Sequence, residues 1–257
     1  PGLDIRIRPG TRGETVYIPA CVTHGDVDDL VYNDFFVGRG ADVTIVAGCG
    51  VHTDDEESAR HNGIHRFFLE EGARVLYQEK HVGTGKGKGI RSIDPVTEIT
   101  LAEDAVLEMD TSQIGGVDRT YRSTSAVLKA GAKLIIHERL LTEKDQTAKT
   151  EFEVSLDGEG SGVNLISRSV ARDRSHQEYR SRIIGNTRCT GHSECDAIIV
   201  GEGTVSAAPE LTANHDDASL IHEAAIGKIA GEQLLKLRTL GLTEEEAEAK
   251  IVAGFLK

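Results

Sequence analysis

GADVTIV at residues 40–46, GARVLYQ at 72–78, DAVLEMD at 104–110 and GAKLIIH at 131–137 share one outline. Each has a turn residue, an alanine, and then about six strand-forming positions whose apolar side chains often alternate. Counted from Ala41, Ala73, Ala105 and Ala132, the steps are 32, 32 and 27 residues. A supersecondary unit that returns at such an interval and cannot bury its own apolar face is the mark of a solenoid, in which each coil covers the last. The composition agrees: 6 Phe, 5 Tyr and no Trp stand against 28 Gly. Small aliphatic side chains and tight corners must therefore make the core.

On either side of these repeats, further strands are expected at 14–19, 151–156, 162–171, 176–184 and 195–200, separated by turns containing Gly and Asp. The pattern changes after Pro209. From Leu220, apolar residues at 221, 225, 229, 234 and 237 follow near-helical spacing up to Gly241. Thr243 and Glu246 then have the spacing of a capping box, which predicts a second helix through Phe255. Strands first and helices last argue against alternating βαβ units and a nucleotide-binding doubly wound sheet.

Charge and cysteine usage narrow the function. With 29 Lys and Arg against 42 Asp and Glu, the net charge of −13 excludes a nucleic-acid surface as the main purpose, because phosphate neutralisation needs clustered cations. The 257 residues are ample for a hydrophobic core, and bulk disorder is excluded. The four cysteines, at 21, 49, 189 and 195, are too few for a disulfide framework and point to a reducing compartment. No apolar run has the length of a membrane span, and the opening PGLDIRIRPG has no signal-peptide pattern. A cytoplasmic protein is the expectation, with neither nucleic acid nor membrane as partner.

Three segments could carry chemistry. In CTGHSEC, Cys189, His192 and Cys195 are spaced three apart, and thiolate and imidazole donors suit zinc or cluster iron. Cys189 reads as part of a polar turn, whereas Cys195, heading the apolar strand CDAIIVG, also fits a packed core thiol. In GCGVHT, glycines on both sides of Cys49 leave its thiol open, with His52 three residues on and His61 and His65 following. His61 and His65 bracket a glycine and would make a poor metal helix, so ordinary surface or core histidines compete with ligands there. Cys21 reads as strand core. His222 and Glu223 head the expected first helix, where an acidic residue also suits the helix dipole, and neighbours about 100° apart do not favour one shared ion. GTGKGKG at 83–89 lacks the Walker spacing and reads as a surface loop, although its two lysines could meet an anion. No Ser-His-Asp arrangement or nucleophile elbow is evident.

HSECDAIIVGEGTVSAAPEL at 192–211, followed by 220–255, closely resembles the end of the SufB/SufD iron-sulfur assembly scaffolds. The matching positions are Cys195 and Asp196, Pro209, His222, Glu223 and Ala224, and Val252, Gly254 and Phe255. SRSVA at 167–171 and EEGARVLYQE at 70–79 look like further signatures, and the resemblance runs over about 35–257, nearest the short archaeal-type members. It implies a right-handed parallel β-helix, with residues 1–215 as scaffold core. It also implies a helical region at 216–257 that docks an ABC-type ATPase, SufC. A nascent cluster would form at a dimer interface, with ligand positions at Cys195 and Glu223 and with His222 beside them. One departure stands out: where long SufB members have a sulfur-accepting Cys, this chain has Glu79, Lys80 and His81. Direct arrival of sulfide, or a route through Cys49 or Cys189, is left open.

The expectation is therefore a mainly β scaffold that is not itself an enzyme. Cys195, Cys189 and Cys49 with Glu223 hold iron and sulfide, His222 and His192 complete the metal donors, and ATP acts only through the partner. A homodimer would deliver the cluster to apo iron-sulfur proteins. A zinc hydrolase or lyase using Cys49, His52, His61 and His65 is the rival, and a structural SufD-like subunit without a cluster is the third reading. The amphipathic face around Leu234 and Leu237 serves either self-packing or ATPase docking.

Overall fold

The computed structural model describes residues 2–54 and 56–257. Its seventeen strands, numbered in chain order, form two sheets that face each other, and every pairing is parallel. One sheet takes β1 (Gly2–Ile7), β3 (Val27–Val37), β5 (Ala59–Leu69), β7 (Arg91–Ile93), β8 (Val96–Leu101), β10 (Arg119–Leu128), β12 (Thr147–Leu156), β14 (His176–Gly185) and β16 (Thr204–Ala213). The other takes β2 (Arg12–Val22), β4 (Asp42–His52), β6 (Arg74–Thr84), β9 (Val106–Ile114), β11 (Lys133–Thr142), β13 (Gly162–Ala171), β15 (Cys189–Ile199) and β17 (Ala218–Lys228). Each turn of the chain gives one strand, or the short β7–β8 pair, to each sheet, so the body is a β-solenoid of about eight turns. Two helices close the chain, α1 (Gly231–Thr239) and α2 (Glu244–Phe255).

The repeat in the sequence is the coil itself. Asp42 pairs with Arg74, Arg74 with Val106 and Val106 with Lys133, the same 32, 32 and 27 steps. The four repeat alanines, 41, 73, 105 and 132, are each completely buried at one corner, stacked coil on coil. The turn residue before each of them, Gly40, Gly72, Asp104 and Gly131, has φ between +56° and +66°. Glycine adopts this left-handed conformation freely, and aspartate is among the few other residues that tolerate it. Gly131 is constrained twice, since a Cβ there would also lie 2.0 Å from Asp104 Oδ1. Between coils the same turns are bonded together, for example Gly40 N–H to Glu71 O and Gly72 N–H to Glu103 O.

Inside, the aliphatic ladder includes Ile45, Leu107, Ile136 and Leu165, with aromatics concentrated early, where Phe35 stacks on Phe67 at 4.5 Å and Tyr77 meets Phe67 edge-on at 5.0 Å. Residues 85–89 of the GTGKGKG stretch form a loop, as expected, whereas Gly83 and Thr84 are the last residues of β6. The glycines of the stretch answer to crowding: a Cβ would lie 2.0 Å from Gly116 O at Gly83 and 1.8 Å from Glu57 O at Gly89.

The expected helix from Leu220 is corrected: residues 218–228 are strand β17, paired residue by residue with β15 from Cys189–Ala218 to Ile199–Lys228. Eleven consecutive ladder positions and the β-branched Ile221 and Ile226 outweigh a helical spacing that was only approximate. The solenoid thus continues into the 216–257 region, and only α1 and α2 are helical. The second helix is as expected. Thr243 Oγ1 accepts from Glu246 N–H at 3.2 Å, and Glu246 Oε2 accepts from Thr243 N–H at 2.8 Å, a complete capping box. Ala247 and Val252 are the buried side chains of α2, and Arg172 pairs with Glu248 to tether the helix to the solenoid.

Because the alanine corner has no spare volume, Ala105→Leu should destabilise the whole solenoid by roughly 1–3 kcal/mol through overpacking. Urea unfolding checks this. A midpoint equal to that of the parent would mean the corner is not tightly stacked.

Candidate functional site

Side chains along a strand alternate between the two faces of the sheet. On β15, Cys189, Gly191, Ser193, Cys195 and Ala197 face the interior, while Thr190, His192, Glu194 and Asp196 face out. On β17, His222 lies opposite Ser193 and Glu223 opposite Glu194. His222 and Glu223 are thus not at a helix head. They are adjacent strand residues on opposite faces, His222 with Cys195 inside and Glu223 with His192 outside.

The outer face gathers three donors. His192, Glu194 and Glu223 each place a ligand atom within 4.8 Å of the others, and His192 Nε2 is 3.9 Å from a Glu223 carboxylate oxygen. Asn164 Oδ1 accepts from His192 Nδ1 at 2.8 Å, which fixes the ring with Nε2 toward the carboxylates. Glu194 and Asn164 did not stand out in the sequence; counting β15 in twos from His192 would have found the first.

The inner face holds the thiol. Cys195 sits mid-strand rather than at the strand head and is buried, and its pKa is pushed up to about 12 by burial first and then by Glu138 and Asp196. His222 Nδ1 is buried without a hydrogen-bond partner. Cys189 is corrected from polar turn to core: it is buried at the corner position taken by Ala132 and Ser161 in the coils before it, and a small side chain is what that position accepts. Cys49 is corrected from open to buried, because Gly48 and Gly50 face outward while its thiol points in, where burial foremost raises its pKa. Cys21 is exposed rather than core.

Cys49 is also distant. Five strand steps separate β4 from β15, about 24 Å at ~4.8 Å per step, so Cys49 and Cys195 do not meet in one protomer. The protomer likewise keeps Cys195 and Glu223 on opposite sides of the sheet. The zinc set is split too: His52 faces outward, bonding Thr84 at 2.9 Å and Asp54 at 3.2 Å, whereas His61 and His65 are buried on strand β5 and not on a helix.

A buried charge network was not legible by motif. Arg122 Nη1 donates to Glu79 Oε2 at 2.9 Å, and its Nε lies 3.5 Å from Glu138 Oε1. Tyr77 hydroxyl donates to Glu79 at 2.9 Å, while Thr150 and Ser167 donate to Glu138 at 3.0 and 2.7 Å. Burial alone would raise the pKa of Glu79, but His81 and Arg122 outweigh it and hold the carboxyl well below its usual range. By register, Glu79, Thr111, Glu138, Ser167 and Cys195 form one inward file along the solenoid.

Residues 32–255 match the family described as "SUF system FeS cluster assembly, SufBD core domain". The chain belongs to the SufBD family. A SufBD family iron-sulfur cluster assembly protein of Methanothermobacter thermautotrophicus is 31% identical over 99% of this chain and 62% of its own length. One from Archaeoglobus fulgidus is 28% identical over 100% of this chain and 68% of its own. One from Pyrococcus horikoshii is 40% identical over 63% of this chain and 37% of its own. This SufBD chain thus spans about 62% of the first of these relatives. Among the described residues, no helix is long and apolar enough to cross a membrane.

The burial of three SufBD thiols and exposure of the fourth is open to direct measurement. Under native conditions near neutral pH, iodoacetamide should label Cys21 rapidly, and Cys49, Cys189 and Cys195 only after denaturation, as read by peptide mass spectrometry. Rapid native labelling of Cys195 would contradict its buried, protonated state.

Proposed function

We propose that this SufBD chain is a scaffold on which a nascent iron-sulfur cluster, its cargo, is built and then passed on. The observation that carries the reading is the convergence of His192, Glu194 and Glu223 over the strand that bears Cys195, beside the terminal strand β17. Carboxylate and imidazole are exchangeable donors that can receive iron from solution, and a thiolate holds cluster iron firmly. Iron binding would displace the Cys195 proton, since the thiolate is the ligand. Asn164 keeps His192 oriented, and His222, on the thiol side, is a second nitrogen donor. Cys189 and Cys49 serve packing and a separate interior environment in this reading.

For inner thiol and outer carboxylates to share one cluster, β17 must shift. Its position supports that: β16 and β17 are the last strands of their sheets, and Leu211, Ile221 and Ile226 on them are exposed. Unpaired strand edges with exposed apolar side chains suit pairing with a second copy of this chain, giving a homodimer with a site at each strand end. An ABC-type ATPase like SufC, acting on α1 and α2, would supply the motion by hydrolysing ATP. Leu234 and Leu237 are half-buried, so the docking face is better assigned to Leu235 and Leu240, which point to solvent. Recipients would be apo iron-sulfur proteins of the cytoplasm.

Anaerobic reconstitution with ferrous iron and sulfide tests the ligand roles. Cys195→Ser, His192→Ala and Glu223→Gln should each lose most of the bound iron and labile sulfide, while Cys189→Ala, a change toward the corner consensus, should keep them. Full retention by Cys195→Ser would instead support a structural SufD-like subunit without a cluster. Separately, Leu235→Asp with Leu240→Asp should abolish ATPase capture in a pull-down while leaving the thermal midpoint of the solenoid unchanged.

A further inference from the structure

The strands β4, β5 and β6 enclose a donor set that the proposed scaffold chemistry does not use. Cys49, Glu79 and His81 are buried, and their ligand atoms lie within 4.8 Å of one another. A tetrahedral zinc with bonds of about 2.0–2.3 Å holds its donors roughly 3.5 Å apart, so side-chain adjustment of about an ångström suffices. A second observation points to an ion. His65, 2% exposed on the facing sheet, has both ring nitrogens buried without a hydrogen-bond partner, while His81 Nε2 lies 3.3 Å from Glu79 Oε2. Leaving buried polar atoms unpaired costs about 1–3 kcal/mol each, which packing alone does not explain.

The backbone makes room for this ring. Gly63 lies two residues before His65 on the same face, and a Cβ there would stand 2.6 Å from His65 Nε2. Phe35 stacks against the imidazole with ring centroids 6.1 Å apart, and Tyr77 lies 6.2 Å away on the other sheet, its hydroxyl bonded to Glu79. Those contacts place the ring on the Glu79 side of the interior.

Charge gives a third argument. Among the described buried residues, the charged side chains are Glu79, Glu138 and Arg122, two carboxylates against one guanidinium. With a neutral Cys49 thiol, the excess negative charge of this interior has only the His81 imidazole, 3.3 Å from Glu79 Oε2, to meet it, and only while that ring is protonated. Deprotonating Cys49 and adding a dication brings the sum to zero.

We propose that Cys49, Glu79 and His81, with His65 as fourth donor, bind a zinc ion inside the solenoid as a structural centre distinct from the cluster site. Ligation through His81 Nε2 puts the ring proton on Nδ1, so the 3.2 Å contact of Arg122 Nη2 with Nδ1 opens on loading, while the Arg122 bonds to Glu79 and Glu138 remain. The site is closed to solvent, so the ion is captured as the coils stack, and metal binding becomes part of the folding free energy.

The test uses the full chain. Elemental analysis of purified protein should find about one zinc per chain that resists chelator in the native state and is released in denaturant. Refolding with Co2+ should give a thiolate-to-cobalt charge-transfer band. Cys49→Ser and His81→Gln should lose that band, and Cys195→Ser should keep it, which separates this centre from the cluster site. His65→Phe, which preserves the stack on Phe35, should fold by circular dichroism yet hold cobalt more weakly. A protein that refolds in chelator to an unchanged thermal midpoint and gives no cobalt band would overturn the proposal. So would a band abolished by Cys195→Ser and untouched by Cys49→Ser.

Discussion

Coil stacks on coil through backbone hydrogen bonds that run along the solenoid, and this parallel ladder locks the register of every strand to its neighbours. Once Asp42 is paired with Arg74 and Arg74 with Val106, the pleat decides which side chains lie inside. A slip of one residue would send Val43, Ile45 and Ala47 to solvent and bring Thr44 and Val46 inward. The corner alanines and the left-handed turn residues before them oppose such a slip, because only a small side chain fits behind each turn. Fold and site therefore share one cause: the strand phase that buries the aliphatic ladder also directs Cys195 inward and His192, Glu194 and Glu223 outward.

The same phase admits charge to the core. Glu79, Glu138 and Arg122 occupy inward positions, where each would be costly alone. They persist as a network because Arg122 bridges the two carboxylates and hydroxyls of Tyr77, Thr150 and Ser167 take further lone pairs. Removing Arg122 would leave two buried carboxylates facing each other, a loss of several kcal/mol rather than of one hydrogen bond. A thin solenoid makes this arrangement feasible, because its two sheets are close enough for side chains from each to meet.

Much of the fold was legible because its signals are local. The alanine-centred repeat names the coil interval, β13 occupies 162–171 as expected, and the capping box at Thr243 and Glu246 is a short-range pattern that tertiary context left intact. The spacing of residues 220–228 misleads for a non-local reason: their strand state depends on β15, some 29 residues earlier in the chain, and nothing in their own pattern reveals that partner. The site was legible in its residue types but not in its grouping. Cys189, His192 and Cys195 look like one ligand run when read by spacing, yet a period of two puts His192 on the opposite face from both thiols. Cys189 proved to be a corner residue, a fact visible only once the coils are aligned.

The two ends of the inward polar file differ in what surrounds them. Near β4 to β6, the donors are covered by neighbouring coils on both sides, so whatever binds there must enter as the chain folds and then stay. Near β15 and β17, the file ends one strand from the edge of the sheet, with Ala224 and Ile226 of the last strand exposed. A retained structural ion needs the first environment, since exchange would unravel the coils that hold it. A transferable cluster needs the second, since donors must part without the core coming apart. The edge strand β17 meets that need: it is paired on one side only, through β15, so displacing it breaks one ladder and leaves the other coils hydrogen-bonded.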